Sequence, residues 1–194
     1  MFRLVKPREY RRMPWKNGGG VTEEIATHPD GATLDDFEWR VSIAEVARDG
    51  PFSRFPGIDR TITLLDGAGM RLRRNDEDIV MRTPFEPYSF AGDDAIDCAL
   101  LAGPIRDFNA MVRRDRAQMN VAVVRADTTL EAADFTIAFA AIGTHECERR
   151  GEPPIRVAPR HTLIDETARA RSGMLAIRPL EPGAVALTVR IACR

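Results

Sequence analysis

Long apolar runs are missing from this chain, and so is an excess of either charge. No stretch reaches the roughly 18 consecutive apolar residues that mark a membrane-spanning helix, so none is expected. The 28 basic and 29 acidic residues leave a formal net charge of −1. Nucleic-acid binders gather basic charge on one face, so neither DNA nor RNA is an expected partner, and a membrane surface is not one either. Met1 to Pro7 holds too short an apolar stretch for a signal peptide. Cysteine is scarce. Cys98, Cys147 and Cys193 are odd in number and far apart, which excludes a disulfide framework and a zinc spacing. A reduced, cytoplasmic setting is the expectation.

The usual signatures of catalysis are missing too. Histidine occurs only at His28, His145 and His161, and no two alternate along one strand face toward a shared metal. His28-Pro29-Asp30 reads as a turn. His145-Glu146-Cys147-Glu148 carries ligand-type atoms, but in a segment rich in Arg, Glu and Pro. No metal and no cofactor is expected. There is no Gly-Lys-Ser/Thr phosphate loop, no dinucleotide fingerprint in a strand–turn–helix setting and no Gly-x-Ser-x-Gly elbow. Acid–base work by Glu24 with Asp59 or Asp107 stays open, although carboxylates are mostly solvated or capping.

Turn formers, by contrast, are plentiful. The 14 Gly and 13 Pro punctuate short apolar or alternating runs, the pattern of an all-β sandwich or barrel. Phe37, Trp39, Val41 and Ile43 point one way, and Glu38, Arg40, Ser42 and Ala44 the other. That polar face either meets water or lines the interior of a barrel with a pocket. Further strands are expected at 60–65, at 70–73 as its hairpin partner, and at 79–81, 96–102, 120–124, 135–140, 175–177 and 184–191. Residues 85–94 read as a loop or bent strand. Residues 145–160 read as an exposed loop. Asp165 to Ser172, acids first and bases last before Gly173, suits either a short helix or a loop.

Three clusters concentrate polar chemistry. In Met13 to Ile25 the run Gly18-Gly19-Gly20 allows either a turn into the first strand or close backbone approach to a ligand, with Asn17, Thr22 and Glu24 as donors and acceptors. Asp49 to Arg60 is either a surface loop plugged by Phe52 and Phe55, or a pocket rim with Arg60 or Asp59 facing in. An inward Arg grips a carboxylate through its planar fork. Asp107 and Asn109 share one face of an extended stretch, while Arg113-Arg114 reads as a surface pair or an anion contact.

Together and in order, Met13-Pro14-Trp15-Lys16-Asn17-Gly18-Gly19-Gly20-Val21-Thr22, Phe37-Glu38-Trp39-Arg40-Val41-Ser42, Asp49-Gly50-Pro51-Phe52-Ser53, Phe55-Pro56-Gly57-Ile58-Asp59-Arg60 and Gly103-Pro104-Ile105-Arg106-Asp107-Phe108-Asn109 resemble the HutD/Ves family. The match thins after about residue 115, where only strand-like texture continues. The resemblance implies an all-β cupin (RmlC-like jelly-roll) fold with two β-barrel lobes, bicupin-like. The larger lobe, 1–115, would carry a metal-free pocket, and 116–194 would form a second lobe packed on it. It further implies a bacterial protein of histidine utilisation that binds a small carboxylated intermediate, such as N-formylglutamate or urocanate, to regulate or buffer the pathway without catalysis. The candidate binding residues are then Trp15, Asn17, Thr22, Glu24, Arg40, Ser42, Arg60, Asp107 and Asn109. Arg40 or Arg60 would pair the carboxylate. Asn17, Thr22 and Ser42 would hydrogen-bond a formyl or amide group, Glu24 would orient the arginine, and Trp15 or Trp39 would wall the pocket. Two alternatives are a metal-independent cupin enzyme on a small carboxylated substrate and a protein-interaction module. Exposed edges of β lobes leave a homodimer open.

Overall fold

The computed structural model describes residues 1–15, 18–75, 77–166 and 173–194. Short alternating runs between turn formers become strands throughout. In chain order these are β1 (Phe2–Val5), β2 (Arg11–Pro14), β3 (Gly20–His28), β4 (Trp39–Val46), β5 (Gly50–Pro51), β6 (Ile58–Asp66) and β7 (Met70–Arg74). They continue with β8 (Glu77–Met81), β9 (Pro87–Ala91), β10 (Ile96–Leu100), β11 (Ile105–Arg113), β12 (Ala117–Val124) and β13 (Thr128–Leu130). The last are β14 (Phe135–Ile142), β15 (His145–Arg149), β16 (Ile155–Val157), β17 (Thr162–Glu166), β18 (Leu175–Pro179) and β19 (Val185–Cys193). Among the described residues the one helical element is a 3-10 turn at Pro7–Glu9, and no helix is long and apolar enough to cross a membrane.

The chain divides into two units, Tyr10–Ala117 on one side and Met1–Glu9 with Gln118–Arg194 on the other. The Tyr10–Ala117 unit has a six-stranded sheet, β2-β3-β4-β11-β6-β9, and a four-stranded sheet, β5-β10-β7-β8. Alternation gives each sheet an apolar face, and the two faces bury each other. Ala44, Ile62, Leu64 and Ile105 from the larger sheet meet Met70, Leu72, Ile96 and Cys98 from the smaller in one core. The second unit repeats the plan with sheets β1-β17-β14-β19-β12 and β13-β18-β15-β16. There Ala138, Ala140, Leu163 and Ala186 meet Cys147, Leu175 and Ile177.

The repetition extends to connectivity. Counting eight strands from β4 and eight from β12, the larger sheets both run first, eighth, third, sixth, and the smaller both run second, seventh, fourth, fifth. Even a β-bulge recurs. It falls beside Asp107 on β11 against β6, and between Ala140 and Ile142 of β14 against β19. The side chains share no pattern at matching places, which is why no repeat is visible in the sequence. Where Asp107 pairs with Leu64 and Met111 with Arg60, the second unit pairs Ala186 with Ala140 and Arg190 with Thr136.

Three expectations need correction. A first lobe over 1–115 would keep the N-terminus with Tyr10–Ala117, but β1 pairs with β17, Phe2 opposite Asp165 and Leu4 opposite Leu163. Residues 145–160 are not an exposed loop. His145, Cys147 and Arg149 of β15 and Val157 of β16 are buried, while Glu148 faces out. The charged outward face hid the alternation. Asp165 and Glu166 end β17 rather than start a helix; residues 167–172 lie outside the described residues.

Candidate functional site

A cavity of about 460 Å³ opens in the Tyr10–Ala117 unit. Its wall is the inward face of three neighbouring strands of the larger sheet. The two-residue period of β4 turns Arg40, Ser42, Ala44 and Val46 inward, and that of β11 turns Asp107, Asn109 and Met111 inward. Antiparallel register then sets Ser42 opposite Asn109 and Arg40 opposite Met111. On β6, Met111 faces Arg60, while Ile62 and Leu64 continue that strand into the apolar core. The rest of the lining is more apolar and includes Met13, Pro14, Trp15, Leu34, Pro51, Phe52 and Phe55.

Arg60 is the most unusual group in this wall. It is 7% exposed, and its guanidinium lies 4.9 Å from the Phe90 ring centroid, 5.4 Å from that of Phe55 and 5.6 Å from that of Phe52. Nη1 donates to the Ser53 carbonyl at 3.2 Å and Nη2 to Asn109 Oδ1 at 2.9 Å. Its buried Nε has no hydrogen-bond partner among the described residues. Burial pulls its pKa down to about 10, against the supporting charge of Asp107 and with the opposing charge of Arg40. Asn109 passes the chain on, donating from Nδ2 to Asp107 Oδ1 at 2.6 Å. Burial pushes Asp107 up to about 7, while Arg60 and the Asn109 bond hold it lower than it would otherwise stand.

Arg40 is handled differently. Its Nε donates to Glu24 Oε2 at 2.7 Å, and both side chains are nearly buried. Arg11, more than half exposed, approaches the other Glu24 oxygen at 3.3 Å. The Trp15 indole donates to Thr22 Oγ1 at 2.8 Å, fixing the ring in the lining. Gly20 is required beneath it, because a Cβ there would strike the Glu45 carbonyl oxygen and stand 3.2 Å from the Trp15 ring.

The structure therefore brings Trp15, Thr22, Arg40, Ser42, Arg60, Asp107 and Asn109 to one cavity. Glu24 does not line it and touches it only through Arg40. Asn17 lies outside the described residues. Trp39 is no wall of the pocket. It alternates to the opposite face of β4 from Arg40 and stacks on His28, centroids 5.8 Å apart. Asp59 also faces away and pairs with Arg114 at 2.7 Å; Arg114 reaches Asp93 at 2.9 Å, so Arg114 is engaged at the surface. Met111, Ser53 and Leu34 were not named as site residues. Ser53 lies in the Asp49–Arg60 segment read as a possible pocket rim, Met111 continues the alternation of Asp107 and Asn109, and Leu34 carried no signal. Among the described residues no three of His, Cys, Asp and Glu are grouped to hold a metal ion.

Facing sheets around a polar-walled cavity make this a cupin-like all-β protein. A cupin 2 conserved barrel domain protein from Leptotrichia buccalis has the same fold, with a TM-score of 0.58 at 8% identity over 95% of this chain and 96% of that one. At such identity the likeness concerns the fold alone. The chain itself belongs to the HutD family, whose profile it matches over residues 7–176. It is 40% identical over 144 residues to a 21.2 kDa protein of the hutC 3' region of Pseudomonas putida, covering 74% of this chain and 75% of that one. Protein Ves of Citrobacter koseri is 41% identical over 125 residues, 62% of this chain and 63% of that protein. The structure of HutD from Pseudomonas fluorescens (formate condition) matches with a TM-score of 0.84 at 31% identity and full coverage of both chains. The family is thus associated with the histidine-utilisation locus.

Proposed function

We propose that the cavity binds a small carboxylated metabolite, an intermediate of histidine utilisation such as N-formylglutamate or urocanate, and that binding serves to regulate or buffer the pathway rather than to transform the ligand. The observation that carries this reading is Arg60, a buried guanidinium in the cavity wall whose Nε has no partner, and whose hydrogen bonds go only to neutral groups, among the described residues. A buried cation without a contacting anion is costly, and a carboxylate relieves that cost through the guanidinium fork. The volume lies in the roughly 300–1,000 Å³ range of small-ligand sites, and the apolar part of the lining suits a short carbon skeleton. Ser42 and Ser53 have no histidine beside them in the lining, which favours binding over nucleophilic catalysis. The family's association with the histidine-utilisation locus supports the choice of ligand. The recurring strand order supports reading each unit as a jelly-roll lobe and the chain as bicupin-like. Three free cysteines, two of them buried, suit a reduced cytoplasmic setting.

The test is a thermal-shift titration with N-formylglutamate, formate, urocanate, histidine and glutamate. A ligand at 100 times its Kd adds about 2.7 kcal/mol, roughly 5–11 °C in a chain of this size. The shift is expected with one of the first three, and it is expected to vanish in Arg60→Ala and to shrink in Arg40→Ala. A folded protein that no carboxylate shifts overturns the reading.

A further inference from the structure

Asp107 is the part of the wall that a simple anion receptor does not need. It is 1% exposed, lines the cavity, and would repel a carboxylate that approached Arg60. The structure nonetheless holds it there by a directed chain. Arg60 donates to Asn109 Oδ1, so Asn109 must offer its amide NH2 to Asp107 Oδ1. Asn109 thereby stands between acid and base, and among the described residues no cation forms an ion pair with Asp107.

The charges facing Asp107 can be summed. From β6 comes Arg60, and Leu64 sits opposite as an apolar neighbour. From β4 come Ala44 opposite, with Ser42 and Arg40 further along the same face, and Arg40 is neutralised by Glu24 of β3. From β10 comes Cys98, whose thiol burial and the charge of Asp107 push up to about 12, so it stays neutral. Among these described groups, with the exposed Arg11 on the other Glu24 oxygen left aside, the charges cancel when Asp107 is ionised and leave one positive charge when Asp107 holds a proton.

We propose that Asp107 is the specificity-determining residue of this pocket, which takes up a carboxylate ligand together with one proton from solvent. The proton adds to the Asp107 carboxylate, and the resulting O–H donates to an oxygen of the ligand. No other bond forms or breaks. The device rests on the carboxylate reading of the pocket and narrows its ligand class. The group that meets Asp107 must be an acceptor, such as a formyl oxygen or a second carboxylate oxygen. A ligand with an ammonium group there would keep Asp107 ionised and forfeit the net attraction of the wall. Burial raises the ionisation of Asp107 from its ordinary acidic range to about 7, where such coupling is felt near neutral pH.

Isothermal calorimetry decides the matter, with N-formylglutamate and formate as probes from pH 6 to pH 9 in two buffers of different ionisation enthalpy. Both probes stay ionised across this range. Affinity is expected to be level near pH 6 and to fall about tenfold per unit above 7, so about 100-fold by pH 9. Near pH 8 to 9 about one proton is expected to be taken up per ligand bound. Asp107→Asn, a permanent donor, is expected to bind both probes with a pH-independent affinity. Binding that is level across the range, with no proton uptake, overturns the role of Asp107 while leaving the carboxylate pocket standing. No binding of either probe, even at pH 6, overturns both. Proton uptake is read on the unaltered protein, so the outcome stands whether or not Asp107→Asn folds.

Discussion

Replacing Asp107 by Asn is expected to stabilise the ligand-free protein at alkaline pH and to do little in acid. An aspartate carboxyl ordinarily ionises near 3.8, whereas in the folded protein burial delays this to about 7. Between those values the unfolded chain has released its proton and the folded chain still holds it. Stability therefore falls as pH rises, by about 1.4 kcal/mol per unit. Over about three units the loss is about 4 kcal/mol, complete above pH 7 and absent below pH 4. An amide of the same shape never ionises, and it keeps the contact by turning its own oxygen to the Asn109 NH2. The difference in Tm between Asp107→Asn and the unaltered protein is expected to grow by roughly 8–16 °C from pH 4 to pH 8. Scanning calorimetry on both proteins measures it. Taking the difference removes His145, which burial holds below its ordinary range and which therefore costs stability in the opposite direction, as pH falls. A Tm difference that is the same at pH 4 and pH 8 would falsify the account, because it would mean that Asp107 ionises as easily in the folded protein as in the unfolded chain.

Two further perturbations probe how the wall is held. Glu24→Ala leaves Arg40 buried without its carboxylate and is expected to cost about 3–5 kcal/mol in urea unfolding. A cost under 1 kcal/mol would show that Arg40 finds solvent or another partner. Gly20→Ala drives a methyl group into the Glu45 carbonyl and against the Trp15 ring, and is expected to cost about 1–3 kcal/mol and to alter indole fluorescence. Unchanged stability and emission would mean that β3 shifts freely beneath Trp15.

Some of this protein is legible in the sequence because it depends only on neighbours along the chain. Alternation over Phe37 to Ala44 assigned Arg40 and Ser42 to one face, since the strand period is two whatever the strand packs against. Turn formers announced an all-β chain, and the ordered motifs from Met13 to Asn109 carried the family. Local reading stopped where a residue's character conflicts with its burial. His145, Arg149 and the acids around them look like a solvated loop, yet β15 is an inner strand of its sheet.

Tertiary structure alone decided which side of each alternation is inside. Arg60, Asp107 and Glu24 are separated widely in sequence, and nothing local says that register sets Met111 beside Arg60, turns Asp59 out to Arg114, or inserts Asn109 between Arg60 and Asp107. Pairing β1 with β17 likewise required knowing which edge lacked a partner. The physical reason is the same in each case. A strand's own sequence fixes the period of its faces, but the choice of neighbours, and with it the burial that moves the ionisation of Asp107, is a property of the whole sheet.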